Sequence, residues 1–73
     1  RVEAPIGSRL RLVVYDVQGR RARTLLDTEA WAGRGVVRWD GRTDDGARVG
    51  SGVYFVKLVT PSDTRSVRLP LVR

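Results

Sequence analysis

Apolar and polar residues alternate with a period of two along most of this chain, the pattern of strands that bury one face. Over residues 9–15, Leu10, Leu12 and Val14 share one face, while Arg9, Arg11, Val13 and Tyr15 share the other. That predicts a strand with one buried and one mostly solvated face. Val17-Gln18-Gly19-Arg20 reads as a hairpin turn, with Gly19 free to adopt a left-handed backbone. Residues 21–26 are then the returning strand. Gly35, Val37 and Trp39 alternate with Val36 and Arg38, predicting a further strand. Residues 53–60 are the most apolar segment: Tyr54, Val56 and Leu58 share one face, and Val53, Phe55, Lys57 and Val59 the other. After a short turn at 61–63, residues 64–72 close the chain, with Val67, Leu69 and Leu71 inward and Ser66, Arg68 and Pro70 outward. Pro70 has no N–H, so its amide position should face an edge or a bulge.

Helical periodicity is confined to one short turn at residues 27–32, ended by Gly33. Residues 40–50 hold three glycines and three aspartates and predict a loop with a tight turn at Asp45-Gly46. Five strands follow from the pattern, and residues 2–6 supply a sixth. Short strands at this spacing predict an all-β, antiparallel two-sheet sandwich of about six to seven strands. A small open barrel is the alternative. Such sandwiches usually have about 100 residues. The single domain over residues 1–73 is therefore expected to lack one N-terminal strand, supplied by upstream sequence or by a partner.

Length and composition narrow the function. A 73-residue domain buries only about 60% of its unfolded surface, so its own stability is expected to be marginal. It has no Cys and no His. That removes disulfide staples, nearly every transition-metal site, and Cys or His nucleophile–base pairs. The net charge is +6, with Lys57 the single lysine. An arginine-rich chain reflects either a GC-rich coding genome or a surface that attracts acidic partners. No apolar run approaches the roughly 20 residues needed to span a bilayer. No charged segment followed by an apolar one opens the chain, so no signal peptide is expected within it.

Three segments in series carry a family resemblance. They are Val14-Tyr15-Asp16-Val17-Gln18-Gly19-Arg20; Gly33 followed by Val37-Arg38-Trp39-Asp40-Gly41-Arg42; and Asp44-Asp45-Gly46 followed by Ser51-Gly52-Val53-Tyr54-Phe55. In this order and spacing the chain resembles the Ig-like domain of flagellar hook-capping (FlgD-type) proteins. It is also similar to C-terminal domains of secreted bacterial proteins, including type-nine secretion sorting domains. The resemblance covers roughly residues 6–73. It implies an immunoglobulin/fibronectin-III-like β-sandwich that serves as an accessory or sorting module rather than as an enzyme. Two departures stand out: only residues 1–8 precede the first motif, where members carry an Asn-Pro-rich strand, and Pro70 interrupts the closing basic strand.

The remaining residues divide into structural and contact candidates. Trp39, Tyr54, Leu12 and Val14 are expected in the core, and Gly46 and Gly52 at turns. Trp31 lies in a loop-like segment and is a contact candidate, since Trp is enriched at binding hot spots. Arg20, Arg21 and Arg23 form one basic cluster, and Arg9 and Arg11 line a strand face; all five are contact candidates. Asp40, Asp44 and Asp45 lack the alternate spacing and distal Glu of a calcium loop, so turn capping is the better reading. The glycines form no phosphate cradle. No cofactor, metal or catalytic residue is expected: the serines have no His to activate them.

With the resemblance, these readings predict a non-catalytic Ig-like accessory module of an exported bacterial protein, serving sorting, anchoring or assembly. It is expected outside the cytoplasm: in the periplasm, on the cell surface or secreted. Its partners would be proteins of a larger assembly or the parent chain, with peripheral contact to an acidic protein surface or anionic lipid. Nucleic acid is disfavoured, because only Tyr15 and Phe55 are candidates for exposed aromatics on a sheet face and Phe55 could equally be packed. Two alternatives stay open. One is a small structural subunit docking on the extracytoplasmic face of a larger, membrane-embedded complex. The other is a nucleic-acid or glycan-binding module.

Overall fold

The computed structural model describes residues 2–3, 7–31 and 33–72. Six strands run in chain order: β1 (Val2–Glu3), β2 (Leu10–Tyr15), β3 (Arg21–Thr28), β4 (Arg34–Gly35), β5 (Gly52–Val59) and β6 (Thr64–Leu71). Four of them build one antiparallel sheet in the order β3-β2-β5-β6, and β1 and β4 pair separately. The architecture is all-β. Two hairpins, β2–β3 and β5–β6, are joined side by side through β2 and β5.

Each hairpin has a local cause. In the first, the Asp16 carboxylate accepts hydrogen bonds from the amides of Gln18 and Arg20 and from Arg20 Nε, each at 2.9 Å. Gly19 supplies the left-handed backbone at φ 82°. In the second, Thr60 and Asp63 close the turn through the Thr60 amide and the Asp63 carbonyl, 2.8 Å apart.

The core sits under the centre of the sheet. Leu10, Leu12, Val14 and Tyr54 are buried on one face, beside Val56 and Leu58. Val13 corrects the sequence reading. It lies on the opposite, supposedly wet face yet is only 2% exposed. Its strand is central, Thr24 and Lys57 flank it across the ladder, and long neighbouring side chains cover such a position with their aliphatic stems. Val67 corrects it in the other direction. It has the inward parity but is 62% exposed, because β6 is an edge strand with nothing beyond it among the described residues.

Two predicted elements are absent. Of the helical turn expected at 27–32, residues 27–31 show none: β3 runs on to Thr28 and the chain then bends, while residue 32 lies outside the described residues. Residues 36–39 are not a strand, since β4 ends at Gly35 where its two-residue pairing with β1 stops. The alternation still reports facing. Val37 and Trp39 lie over the apolar face of the sheet, while Val36 is 67% exposed. Facing is written into the side chains; pairing needs a partner strand. Of the predicted strand at 2–6, residues 4–6 lie outside the described residues.

The loop after Trp39 is a small folded unit. Arg42 and Arg48 form an isolated antiparallel bridge, the Thr43 amide donates to the Ala47 carbonyl at 2.8 Å, and Gly46 turns at φ 86°. Residues 29–51 thus carry the chain from edge strand β3 across the sheet to β5. The described residues do not form a second full sheet opposite the first.

Candidate interaction surface

The apolar face of the sheet is only partly covered. Between it and residues 37–39 runs an open groove of ≈ 640 Å³, lined by Leu12, Val56, Leu58, Val67, Val37 and Trp39, with Arg38 and Arg65 also along it. Trp39 is half-buried rather than sealed in the core. Its ring meets Tyr54 edge-on, with centroids 5.1 Å apart, and its Nε1 donates to the Arg42 carbonyl at 2.9 Å. The Tyr54 hydroxyl donates to the Gly50 carbonyl at 2.7 Å. These bonds tie the crossover loop to β5 and hold one wall of the groove.

The arginines singled out from sequence are mostly engaged with local acids. Arg9 pairs with Asp27 at 2.9 Å and approaches Glu29 at 3.8 Å. Arg20 pairs with Asp16 at 2.9 Å. Arg21 lies 3.9 Å from Asp44, and Arg23 lies 3.8 Å from Asp40 and 3.9 Å from Asp44 while donating to the Thr43 carbonyl at 3.1 Å. The Arg21 and Arg23 contacts and the Asp44 bond to the Thr24 amide at 3.0 Å fasten loop 40–50 against β3. Asp40 caps the Arg42 amide at 3.0 Å. The three loop aspartates do not converge: among the described residues no group of three or more acids could hold a metal ion.

Arg11 differs from the other four. No carboxylate among the described residues pairs with it, although Asp27 stands opposite it in register. The same holds for Arg38, Arg48 and Arg68. The strand register places Arg11, Lys57 and Arg68 on one face of the sheet, the face away from the groove, together with Tyr15 and Phe55. Lys57 Nζ sits 5.3 Å from the centre of the Tyr15 ring, and Phe55 is 37% exposed. Lys57 and Arg68 stand outside the five-residue contact set drawn from sequence. The signal was present: both share strand parity with Phe55, but only the β5–β6 register shows that the three become neighbours.

Trp31 is also placed differently from a free loop tip. It is half-buried, its ring packs on Gly35, and its amide donates to the Ser8 carbonyl at 2.9 Å. Its buried Nε1 has no hydrogen-bond partner among the described residues. Gly52, expected at a turn, instead begins β5, and Gly46 takes φ 86°.

Among the described residues, two carboxyls sit below the ordinary value of 3.8. The Arg20 amide, the Arg20 side chain and the Gln18 amide stabilise the Asp16 anion. The Arg65 side chain and then the Thr64 amide do the same for Asp63. Both anchor turns, Asp16 half-buried and Asp63 exposed, and neither lines the groove.

An antiparallel sheet with a tyrosine near the start of one strand, bonded back to the preceding loop, is a feature of immunoglobulin-like folds. The family model of the FlgD Ig-like domain matches residues 3–64. The chain belongs to the FlgD Ig-like domain family. No curated protein and no solved structure matches it. The family span runs from β1 to the first residue of β6, so residues 65–71 of the edge strand lie beyond it. No helix among the described residues is long and apolar enough to cross a membrane.

Proposed function

We propose that this FlgD Ig-like domain is a non-catalytic accessory module of an exported bacterial protein, serving sorting, anchoring or assembly outside the cytoplasm. The observation that carries this reading is the groove. A sheet whose apolar face stays open over ≈ 640 Å³ gains stability when a partner surface covers it. In this reading the covering element completes a two-sheet sandwich of six to seven strands, and the family membership favours a role beside the flagellar hook-capping proteins. The similarity to type-nine secretion sorting tails belongs to the same proposal as one route of export. The test is a deletion of residues 1–73 from the parent protein in its own cell. Loss of delivery, surface attachment or incorporation into an assembly is the expected result. A parent protein exported, attached and assembled as before would refute the reading.

A second reading is a small structural subunit docked on the extracytoplasmic face of a larger membrane complex. It is favoured by Arg11, Lys57 and Arg68 on the outer face, none paired with a carboxylate among the described residues, which suit an acidic protein surface or anionic headgroups. Purification of the native protein from membranes separates the two: a stoichiometric set of other chains supports the subunit. For a nucleic-acid reading the observations divide: Arg20, Arg21 and Arg23 are directed at Asp16, Asp40 and Asp44, while Arg11, Lys57 and Arg68 share a face with Tyr15 and Phe55.

A further inference from the structure

The two edges of the sheet are finished differently. Along β3, the Asp44 amide donates to the Ala22 carbonyl at 3.1 Å, and the Asp44 carboxylate accepts from the Thr24 amide at 3.0 Å. A loop occupies that edge, and two register shifts beside it distort the ladder further. Beyond β6 there is no strand among the described residues.

The hairpin fixes which groups of β6 point outward. The Thr60 amide bonds the Asp63 carbonyl at 2.8 Å, so these two residues form a hydrogen-bonded pair. Hydrogen-bonded and non-bonded pairs alternate along an antiparallel ladder, and the β5–β6 register runs without a shift. Arg65, Val67 and Leu69 therefore bond to β5. Thr64, Ser66, Arg68 and Pro70 turn their backbone groups outward. Pro70, lacking an N–H, belongs naturally to the outward set. The Thr64 amide is taken by the Asp63 carboxylate at 2.8 Å. The N–H groups of Ser66 and Arg68, with the neighbouring outward carbonyls, are left to offer.

The flanking side chains specify what would pair there. A further strand would place the residues opposite Arg65, Val67 and Leu69 beside the groove, next to the exposed Val67. Apolar residues suit that side. The residues opposite Ser66 and Arg68 would stand on the other face, near Arg68 and Lys57. Acidic residues suit that side. A second copy of the chain fits poorly: residues 64–71 contain Arg65 and Arg68 and no acid, so self-pairing gathers like charge. We infer that the outer edge of β6 is a docking site for an extended segment of a partner protein in which apolar and acidic residues alternate. The inference deepens the accessory-module reading and rests on it. It uses a strand that lies almost wholly beyond the family span.

The probe is a capped nine-residue peptide of alternating Glu and Val, titrated into the isotopically labelled 73-residue chain. Amide exchange at Ser66 and Arg68 should slow roughly tenfold or more, while Val67 and Leu69, already in the ladder, change little. A Lys–Val peptide should bind roughly tenfold more weakly, and Arg68→Glu should invert that preference. Ser66→Pro removes an outward donor without touching the β5 ladder and should abolish binding. If that variant unfolds, a Glu–Val peptide N-methylated at alternate residues decides the same point, since it keeps charge and apolarity but cannot form the ladder. Equal binding of the N-methylated peptide would overturn the inference. So would unchanged exchange at Ser66 and Arg68 with peptide at about millimolar concentration, or binding to phosphatidylglycerol vesicles in place of peptide. These outcomes concern the β6 edge alone, whereas the deletion in the parent protein judges the accessory role.

Discussion

Removing one oxygen from Tyr54 is a direct test of how the crossover loop is held. Tyr54→Phe keeps the ring, its 9% exposure and its edge-on contact with Trp39, and deletes only the bond to the Gly50 carbonyl at 2.7 Å. A net hydrogen bond is worth about 1 kcal/mol, and a carbonyl left poorly solvated raises the loss toward about 2 kcal/mol. A domain of 73 residues has a total stability of about 4–11 kcal/mol. With so small a core, this one belongs near the lower end, so the loss is a large fraction of the whole. At roughly 4–8 °C per kcal/mol for a domain of this size, Tm should fall by about 4–16 °C. Urea unfolding followed by tryptophan fluorescence measures it, with the midpoint lowered and the slope unchanged. Tyr15→Phe is the internal control, because no hydrogen bond from the Tyr15 hydroxyl is made among the described residues. The reasoning fails if Tyr54→Phe lies within roughly 0.3 kcal/mol of the parent chain, or if Tyr15→Phe costs as much.

Three further outcomes follow from other parts of the fold. Because the Asp16 carboxyl is held below 3.8 in the folded chain, its stabilising contribution is full above that value and is lost as pH falls through the lowered one. Asp16→Asn should therefore flatten the acid limb of stability against pH, read by circular dichroism; an unchanged acid limb would count against the turn anchor. Gly35→Ala puts a methyl 2.8 Å from the Trp31 ring, and should cost about 1–3 kcal/mol by overpacking, with a shift in Trp31 emission. Asp44→Ala frees the Thr24 amide and loosens loop 40–50, costing about 1 kcal/mol. It should also raise self-association by light scattering as the β3 edge opens, and a variant that stays monomeric at high concentration would contradict that.

Much of the strand layout was legible because alternation and turn chemistry are local. The β2–β3 and β5–β6 hairpins follow from Gly19 and from Pro61-Ser62-Asp63 between alternating runs. Pairing beyond a hairpin is not local. The alternation of Val37 and Trp39 named their facing correctly but could not show that no strand would lie beside them. Val13 and Val67 failed for a related reason: parity assigns a face, whereas burial depends on how central the strand is. The acids beside the arginine cluster were not legible, because Asp44, some twenty residues away in the chain, folds back onto Arg21 and Arg23. The face shared by Arg11, Lys57 and Arg68 needed the registers of two strand pairs at once.

The unequal edges also set a stoichiometry. Asp44 closes one side of the sheet and β6 leaves the other open, so a ladder that grows by adding strands can accept one newcomer and then has nowhere to continue. Such a module ends a chain of contacts instead of propagating one. Losing the Asp44 carboxylate, which holds the Thr24 amide, would begin to open a second place and move a terminator toward a link.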